Sequence, residues 1–563
     1  MKKIRNYLIV IVVFTTSFYS CDEDKLLKEN PLDFYAPENS FITSSHFQMA
    51  VNNLHYALRQ NLYRAGDIGY HYATDFSYNA CWYIPPILGG LNDYTNAMVP
   101  SAGGPIGVWT AWYGIVKDAN VIISRLEYPD CEVSEEEKKI FRSEAFFFRA
   151  LSYRMLAHLF GGVPLVLEEA ASPRRDLTRA TRNEVYLQCA EDLEYAAANL
   201  SNIDEVKDGK VSKQVSQHLL SEIYISLKEW DKAIQAATAV IDYPACKLMT
   251  SRFGSRKDEP GDVYWDLFRL NNQNRSSGNT EGLYVIQYDY QNPGSSSNNM
   301  LPWSFNPYYE ALSIGGKSLF AGVTDTKCGR STAWARPTDF YFYTMWGADF
   351  DKDIRNSEYN IIRDLQADNP ASPYFGKWMV KDNLKGMLGW DSVRNWFPIT
   401  VKTGRPSNYP PEYYKKNADG SPQKTVYGEI LLISAANSSF KDEYLFRLAE
   451  TYLLRAEAYI GADNQVLAAS DINSVRQRAN ATPISSSEAT LHYVLDERMR
   501  ELALEELRMV TLCRVGKLVE RNRMYNPTTG TTILDYHNLW PIPYSEIERN
   551  IFGNIEQNPG YSN

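Results

Sequence analysis

Residues 141–165 read FRSEAFFFRALSYRMLAHLFGGVPL, the most regular stretch of the chain. Upstream, Ser134 stands three residues before Glu137, a capping-box pair that marks a helix start. Downstream, Gly161 and Gly162 can take positive φ, and Pro164 has no N–H with which to continue a helix. Between these signals Ile140, Phe141, Ala145, Phe148, Leu151, Met155, Leu156 and Leu159 are apolar. They cover more than one narrow stripe, which predicts a helix buried on two sides and therefore lying between other helices.

The neighbours support such a stack. A first helix is predicted from about Ser45 to Asn61, with Phe47, Val51, Leu54 and Leu58 on one face. Trp109, Trp112, Ile115, Val116, Ala119 and Ile122 keep helical spacing just before the opening stretch. After it, 182–200 is amphipathic and 211–243 reads as a helix pair, with Trp230 at the turn. Ala233, Ala236 and Ala237 are small enough to let two helices approach, as in tetratricopeptide repeats, although no strict period runs through the chain. Helical stepping returns at Asp442 with Leu445, Leu448, Ala449, Tyr452, Leu453, Ala456 and Tyr459. Further helices are expected at Ala468–Ala479, Leu491–Glu506 and Val510–Arg521, followed by an extended tail.

Two regions break the pattern. Residues 66–106 are rich in Gly, Pro, Asn and aromatics and read as a long loop. Residues 244–439 hold seven of the twelve Trp, among frequent Gly, Pro, Asn and Ser, and read as a loop-rich subdomain laid over the stack. Within it GLYVIQYDY alternates and predicts a short strand.

The net charge of -10 argues against a nucleic-acid partner, which would call for a basic surplus. Aromatic residues make up 13%, with 39 Tyr, a composition that serves both cores and ligand surfaces. Lys2, Lys3 and Arg5 precede a short apolar run, Leu8 to Phe14, and Ser20 precedes Cys21. This resembles a lipoprotein signal, cleaved before a cysteine that is then acylated, with Phe18 and Tyr19 departing from the common motif. A plain secretory signal is the alternative. Residues 1–20 are then the signal peptide and 21–45 a lipidated tether, followed by scaffold over 46–243, the loop-rich subdomain over 244–439 and scaffold again over 440–563. Cys81, Cys131, Cys189, Cys246, Cys328 and Cys513 show no paired spacing, and no connectivity follows.

RLAETYLLRAEA at 447–458, DINSVRQRAN at 471–480, ERMRELALEELR at 497–508, WPIPYSEIERN at 540–550 and QNPGY at 557–561 come in this order. With the opening stretch and Cys21, they resemble the SusD/RagB family of outer-membrane nutrient-binding lipoproteins. The acidic run Asp22, Glu23 and Asp24 resembles the surface-display signal of Bacteroidetes lipoproteins. Met509 and Thr511 depart from the family pattern, which touches a local ion pair only. The resemblance implies an all-α SusD-like fold: tetratricopeptide-like helix pairs decorated by loops that carry the ligand site. It implies a non-enzymatic protein of the cell surface. Such a protein captures an oligosaccharide, or in some members a peptide, and hands it to a SusC-like TonB-dependent transporter in the outer membrane.

The residues themselves support binding over catalysis. No HExxH, no GxSxG elbow and no phosphate-cradling loop is present. A glycoside hydrolase would need two carboxylates across a cleft, but Arg476, Arg478, Glu497, Arg498, Glu501, Glu505 and Arg508 read as helix-face ion pairs. Asp349, Asp351 and Asp353 suggest a calcium loop, yet Ile354 and Asn360 break the EF-hand form. A turn with Asp353 paired to Arg355 is expected instead, and no cofactor is required, with a looser calcium site as the alternative. A sugar ring stacks its C–H face on Trp or Tyr while polar groups bond its hydroxyls. Two regions offer that combination. Asp75, Asn79, Trp82 and Tyr83 lie in the first, and Trp303, Tyr308, Tyr309 and Trp334, with Arg330, lie in the second.

Overall fold

The computed structural model describes residues 40–63, 67–80, 93–170, 172–290, 292, 299–388, 392–404 and 409–562. The signal peptide, Cys21, nearly all of the tether, Trp82, Tyr83 and Cys81 lie outside them. Helix α1 (Ser44–Tyr63) buries Phe47, Val51, Leu54 and Leu58 against α2 (Gly103–Arg125) and α3 (Glu135–Phe160). The α3 start is capped as expected, with the Ser134 hydroxyl accepting from the Glu137 N–H at 3.3 Å. Every residue from Phe147 to Phe160 is buried, so α3 is enclosed on all sides along its second half rather than on two.

Packing then proceeds from neighbour to neighbour. α3 packs on α4 (Arg182–Asn199), α4 on α5 (Lys213–Leu227), and α5 on α6 (Trp230–Ile241). Helix α6 meets α7 (Leu448–Gly461), which meets α8 (Gln465–Arg478) and α9 (Leu491–Leu502). The architecture is all-α, with paired helices stacked in tetratricopeptide fashion and, among the described residues, only two-stranded sheets beside them.

Four expectations are corrected. The 66–106 region is partly regular: strand β1 (Ser77–Asn79) and a short helix Tyr94–Ala97 fall within it, and α2 begins at Gly103. The expected strand, β2 (Gly282–Ile286), pairs antiparallel with Glu443–Arg447, a segment whose stepping had read as the start of a helix. All residues of both strands are buried, so local period cannot distinguish strand from helix there, and the partner strand decides. The last helices are shorter than expected. Leu504 takes φ 66° just beyond α9, and Gly516 at φ 65° separates α10 (Arg508–Arg514) from α11 (Leu518–Tyr525). The tail also carries a short helix, Tyr544–Arg549.

The loop-rich block has a small core of its own, in which Tyr309, Leu319, Phe320, Leu365, Met379 and Ile399 are buried together. Among the described residues Cys131, Cys189, Cys246, Cys328 and Cys513 are free thiols, all buried except the half-buried Cys131.

Candidate functional site

The two sequence-predicted regions meet through a pair of short strands. β1 runs antiparallel to β3 (Ala335–Pro337), with Asn79 opposite Ala335 and Ser77 opposite Pro337. The Ala80 N–H then donates to the Trp334 carbonyl at 3.1 Å. The end of the first region is thereby fixed beside Trp334, and Asn79 is half-buried at that edge.

Trp303 sits on the short helix Leu301–Phe305, whose Leu301 and Phe305 are buried beneath it. Its carbonyl accepts from the Thr332 N–H and from the Ser331 hydroxyl, each at 2.9 Å. These bonds sew 331–334 onto the helix. Ala333 sits at φ 49°, a left-handed conformation that costs a residue with a Cβ on the order of 1 kcal/mol. The turn delivers Trp334 beside Trp303, with ring centroids 4.8 Å apart and planes inclined at 41°. Both rings are half-buried, leaving part of their surface to solvent. The Trp303 indole N–H finds no acceptor among the described residues.

Tyr308 lies a few residues on, between two guanidiniums. Arg394 is 5.1 Å and Arg330 6.0 Å from its ring centroid. Arg394 is held by donating Nε to the Thr332 carbonyl at 2.7 Å, and its own carbonyl accepts from the Tyr308 N–H at 3.3 Å. Arg330 donates Nε to Glu310 at 2.9 Å. Burial works against the Arg330 charge, but Tyr308 and Glu310 outweigh it and hold the group above the usual arginine value. The result is a partly exposed aromatic pair tied to Tyr308 and its cations through Thr332, whose carbonyl takes Arg394 and whose N–H bonds the Trp303 carbonyl, an arrangement that offers a flat apolar face with polar groups in the same segment.

Trp303, Tyr308, Trp334 and Asn79 therefore come together, and two predicted contacts do not join them. Asp75 is fully buried, its carboxylate taken by Arg508 at 2.7 Å and 2.9 Å and by Arg521. Burial raises its pKa, but the two guanidiniums win and bring it down to about 2. It stabilises the fold and is not placed to touch a ligand. Tyr309 is buried in the small core of the loop-rich block, where its hydroxyl accepts from the Thr324 N–H at 2.9 Å. Adjacent residues on a short helical turn point apart, which separates Tyr308 from Tyr309. Sequence reasoning passed over Arg394 and Glu310. Arg394 is remote from Tyr308 in the chain and carries no local motif.

The charged helix motifs are also corrected. They read in the sequence as helix-face ion pairs at three- and four-residue spacing, but most are buried and join separate elements. Arg447 meets Glu281, Glu501 and Glu505, while Arg478 meets Glu281 and Glu501. Arg355 reaches Glu497 at 2.8 Å and Glu501 at 3.0 Å. Only the Arg500–Glu497 pair follows helix-face spacing within these motifs. In the aspartate run, Asp353 pairs with Arg355 at 2.6 Å, as expected. Asp349 accepts from Arg476 and Thr482, both at 2.6 Å, so two of the three carboxylates are already occupied.

A profile of the SusD family matches residues 265–561, and one described as starch-binding, associating with outer membrane, matches 35–225. The SusD-like protein P25 of Formosa agariphila is 25% identical over 97% of this chain and 97% of its own length. The starch-binding protein SusD of Bacteroides thetaiotaomicron is 27% identical over 75% of this chain and 72% of its own length. A laminarin-binding SusD-like protein of known structure superposes with a TM-score of 0.67 at 20% identity, covering 92% of this chain and all of the other. With more than half of its length matched by the family profile, the chain belongs to the SusD family.

Proposed function

We propose that this protein is a cell-surface lipoprotein that captures an oligosaccharide on Trp303 and Trp334 and delivers it to a TonB-dependent outer-membrane transporter, without catalysis. The observation that carries the reading is the Trp303–Trp334 pair, half-buried and beside Tyr308 with its two guanidiniums. A pyranose presents a C–H face to such rings and hydroxyls to Arg330, Arg394, Glu310 and Asn79. Trp82 and Tyr83, expected in the same site from the sequence, lie outside the described residues. The starch- and laminarin-binding relatives support a neutral glucan as the ligand class. The reading places membrane attachment on an acyl chain at Cys21, which follows the lipoprotein-like signal.

Calorimetry of the protein against maltohexaose and laminarihexaose tests the site. Trp334→Ala and Trp303→Ala are each expected to weaken binding tenfold or more, about 1.4 kcal/mol. Undiminished binding in both variants would move the site elsewhere. Delivery is tested by co-purification with a barrel protein from outer membranes, which should fail when Cys21→Ser removes the anchor. Steady release of reducing ends by the purified protein would overturn the non-catalytic reading.

A further inference from the structure

The chain runs on from Trp334 into β3, and its burial alternates. Ala335 and Pro337 are buried, whereas Trp334 and Arg336 are half-buried. The Ala80 bond to the Trp334 carbonyl extends the β1–β3 ladder to this residue. Successive side chains of an extended segment point to opposite faces, so Trp334 and Arg336 share the outer face, about 7 Å apart along the backbone.

Arg336 is held in place on that face. Its guanidinium lies 5.8 Å from the Tyr78 ring centroid and 5.9 Å from that of Phe397. It donates Nη2 to Asp339 at 3.0 Å, and the Asp339 side chain is 70% exposed. Four residues beyond Asp339 stands Tyr343, on the π-helical turn Phe340–Thr344. Such turns are rare and recur at functional sites. Residues four apart on a helical turn are neighbours, and the charges agree with that placement. Burial and the Asp339 carboxylate push the Tyr343 hydroxyl up, with Arg363 and Arg336 pulling against them. The Tyr343 ring is 45% exposed. Arg363 stands 6.0 Å from its centroid and is itself fixed by the carbonyls of Phe342 and Asn356, at 2.8 Å and 3.1 Å.

We infer that the glycan surface continues from Trp334 along this face to a further subsite, where the Arg336–Asp339 pair bonds sugar hydroxyls and Tyr343 carries a pyranose ring. The inference rests on the reading of Trp303 and Trp334 as a glycan surface. The pair is neutral as a unit and offers donors at one end and acceptors at the other, which suits uncharged hydroxyls. A third partly exposed ring, reached from Trp334 through one strand step, one ion pair and one helical turn, suits a chain of several sugars rather than a single one.

Calorimetry with the full-length protein tests this through chain length, comparing maltotriose with maltohexaose and laminaritriose with laminarihexaose. The hexasaccharide that binds should bind several-fold more tightly than the trisaccharide of the same linkage. Tyr343→Ala should lower hexasaccharide affinity by about fivefold or more and leave trisaccharide affinity unchanged. Tyr343→Phe, which keeps the ring, should retain most of the affinity. Asp339→Ala should act in the same direction as Tyr343→Ala, and it removes only an exposed ion pair, so the fold should persist. Unchanged hexasaccharide binding in Tyr343→Ala, or equal losses for the two chain lengths, overturns the inference. Loss in the Trp334→Ala and Trp303→Ala variants with none in Tyr343→Ala overturns the extension alone. No binding of either length by the unaltered protein overturns both readings.

Discussion

Asp75 is the residue on which the structure and the local sequence differ most. In sequence it stands in an aromatic, Asn-containing stretch that resembles a ligand loop. In the fold it neutralises Arg508 and Arg521, from two consecutive C-terminal helices. Removing one partner of a buried ion group leaves the others uncompensated. Asp75→Asn is therefore expected to destabilise the protein by about 3–5 kcal/mol, read as a lowered midpoint in urea. A variant that melted like the parent and only lost ligand affinity would return Asp75 to the binding surface. Trp303 and Trp334 are the opposite case. Each occupies a position that could have been core, and each is half-buried, with Ala333 taking φ 49° just before Trp334.

At the scale of elements, the C-terminal end of α3 collects three of the motifs that marked the family. Trp540 is fully buried against Phe160, with centroids 5.8 Å apart, and its N–H donates to the Leu159 carbonyl at 2.7 Å. Asn558 donates to the carbonyls of Phe160 and Trp540 at 2.9 Å and 2.7 Å. The last carbonyls of a helix need such partners when buried. Gly162 lets this closure happen, because a Cβ there would lie 2.2 Å from the Ala180 carbonyl oxygen. Gly162→Ala is expected to cost about 1–3 kcal/mol through overpacking. Thermal unfolding measures it, and an unchanged melting temperature would mean that 162 and 180 can separate freely. The glycine pair was legible as a helix stop. Its second role depends on Ala180, which no spacing rule pairs with it.

Across the whole molecule, buried charge joins the loop-rich block to the C-terminal helices. Arg355 and Lys402 from the block reach Glu497, Glu501 and Glu505, while Glu281 beside β2 reaches Arg447 and Arg478. The block is fastened to these helices through the interior. This has a consequence in acid. Burial opposes ionisation of Glu497 and Glu450, but their guanidinium neighbours win and bring both to about 2, as for Asp75. Carboxylates with depressed values stabilise the fold above their ordinary range near pH 4, and that contribution is lost as pH falls toward 2. His71 acts earlier. Burial lowers it to about 4, so between pH 6.5 and 4 the unfolded chain takes up a proton that the folded chain refuses. That shift alone is worth on the order of 3 kcal/mol. Urea unfolding from pH 7.5 to 3 should show stability declining below pH 6.5 and steeply below 4.5. A flat profile down to pH 4 would contradict the burial of His71.

The helical stack was determined by the sequence alone, because 3.6-residue spacing, the Ser134 cap and the Gly161–Gly162 stop each act within one or two turns of the chain. The ordered motifs from 447 to 561 carried the family in the same way. What only the tertiary structure decided is which partners the residues meet across hundreds of positions. It turned 443–447 into a strand by supplying 282–286, drew the motif charges inward by pairing them between elements, and parted Tyr308 from its buried neighbour Tyr309. It also set Trp303 against Trp334. Burial is a property of the partner and not of the residue, so local spacing could indicate the scaffold while the surfaces it presents required the fold.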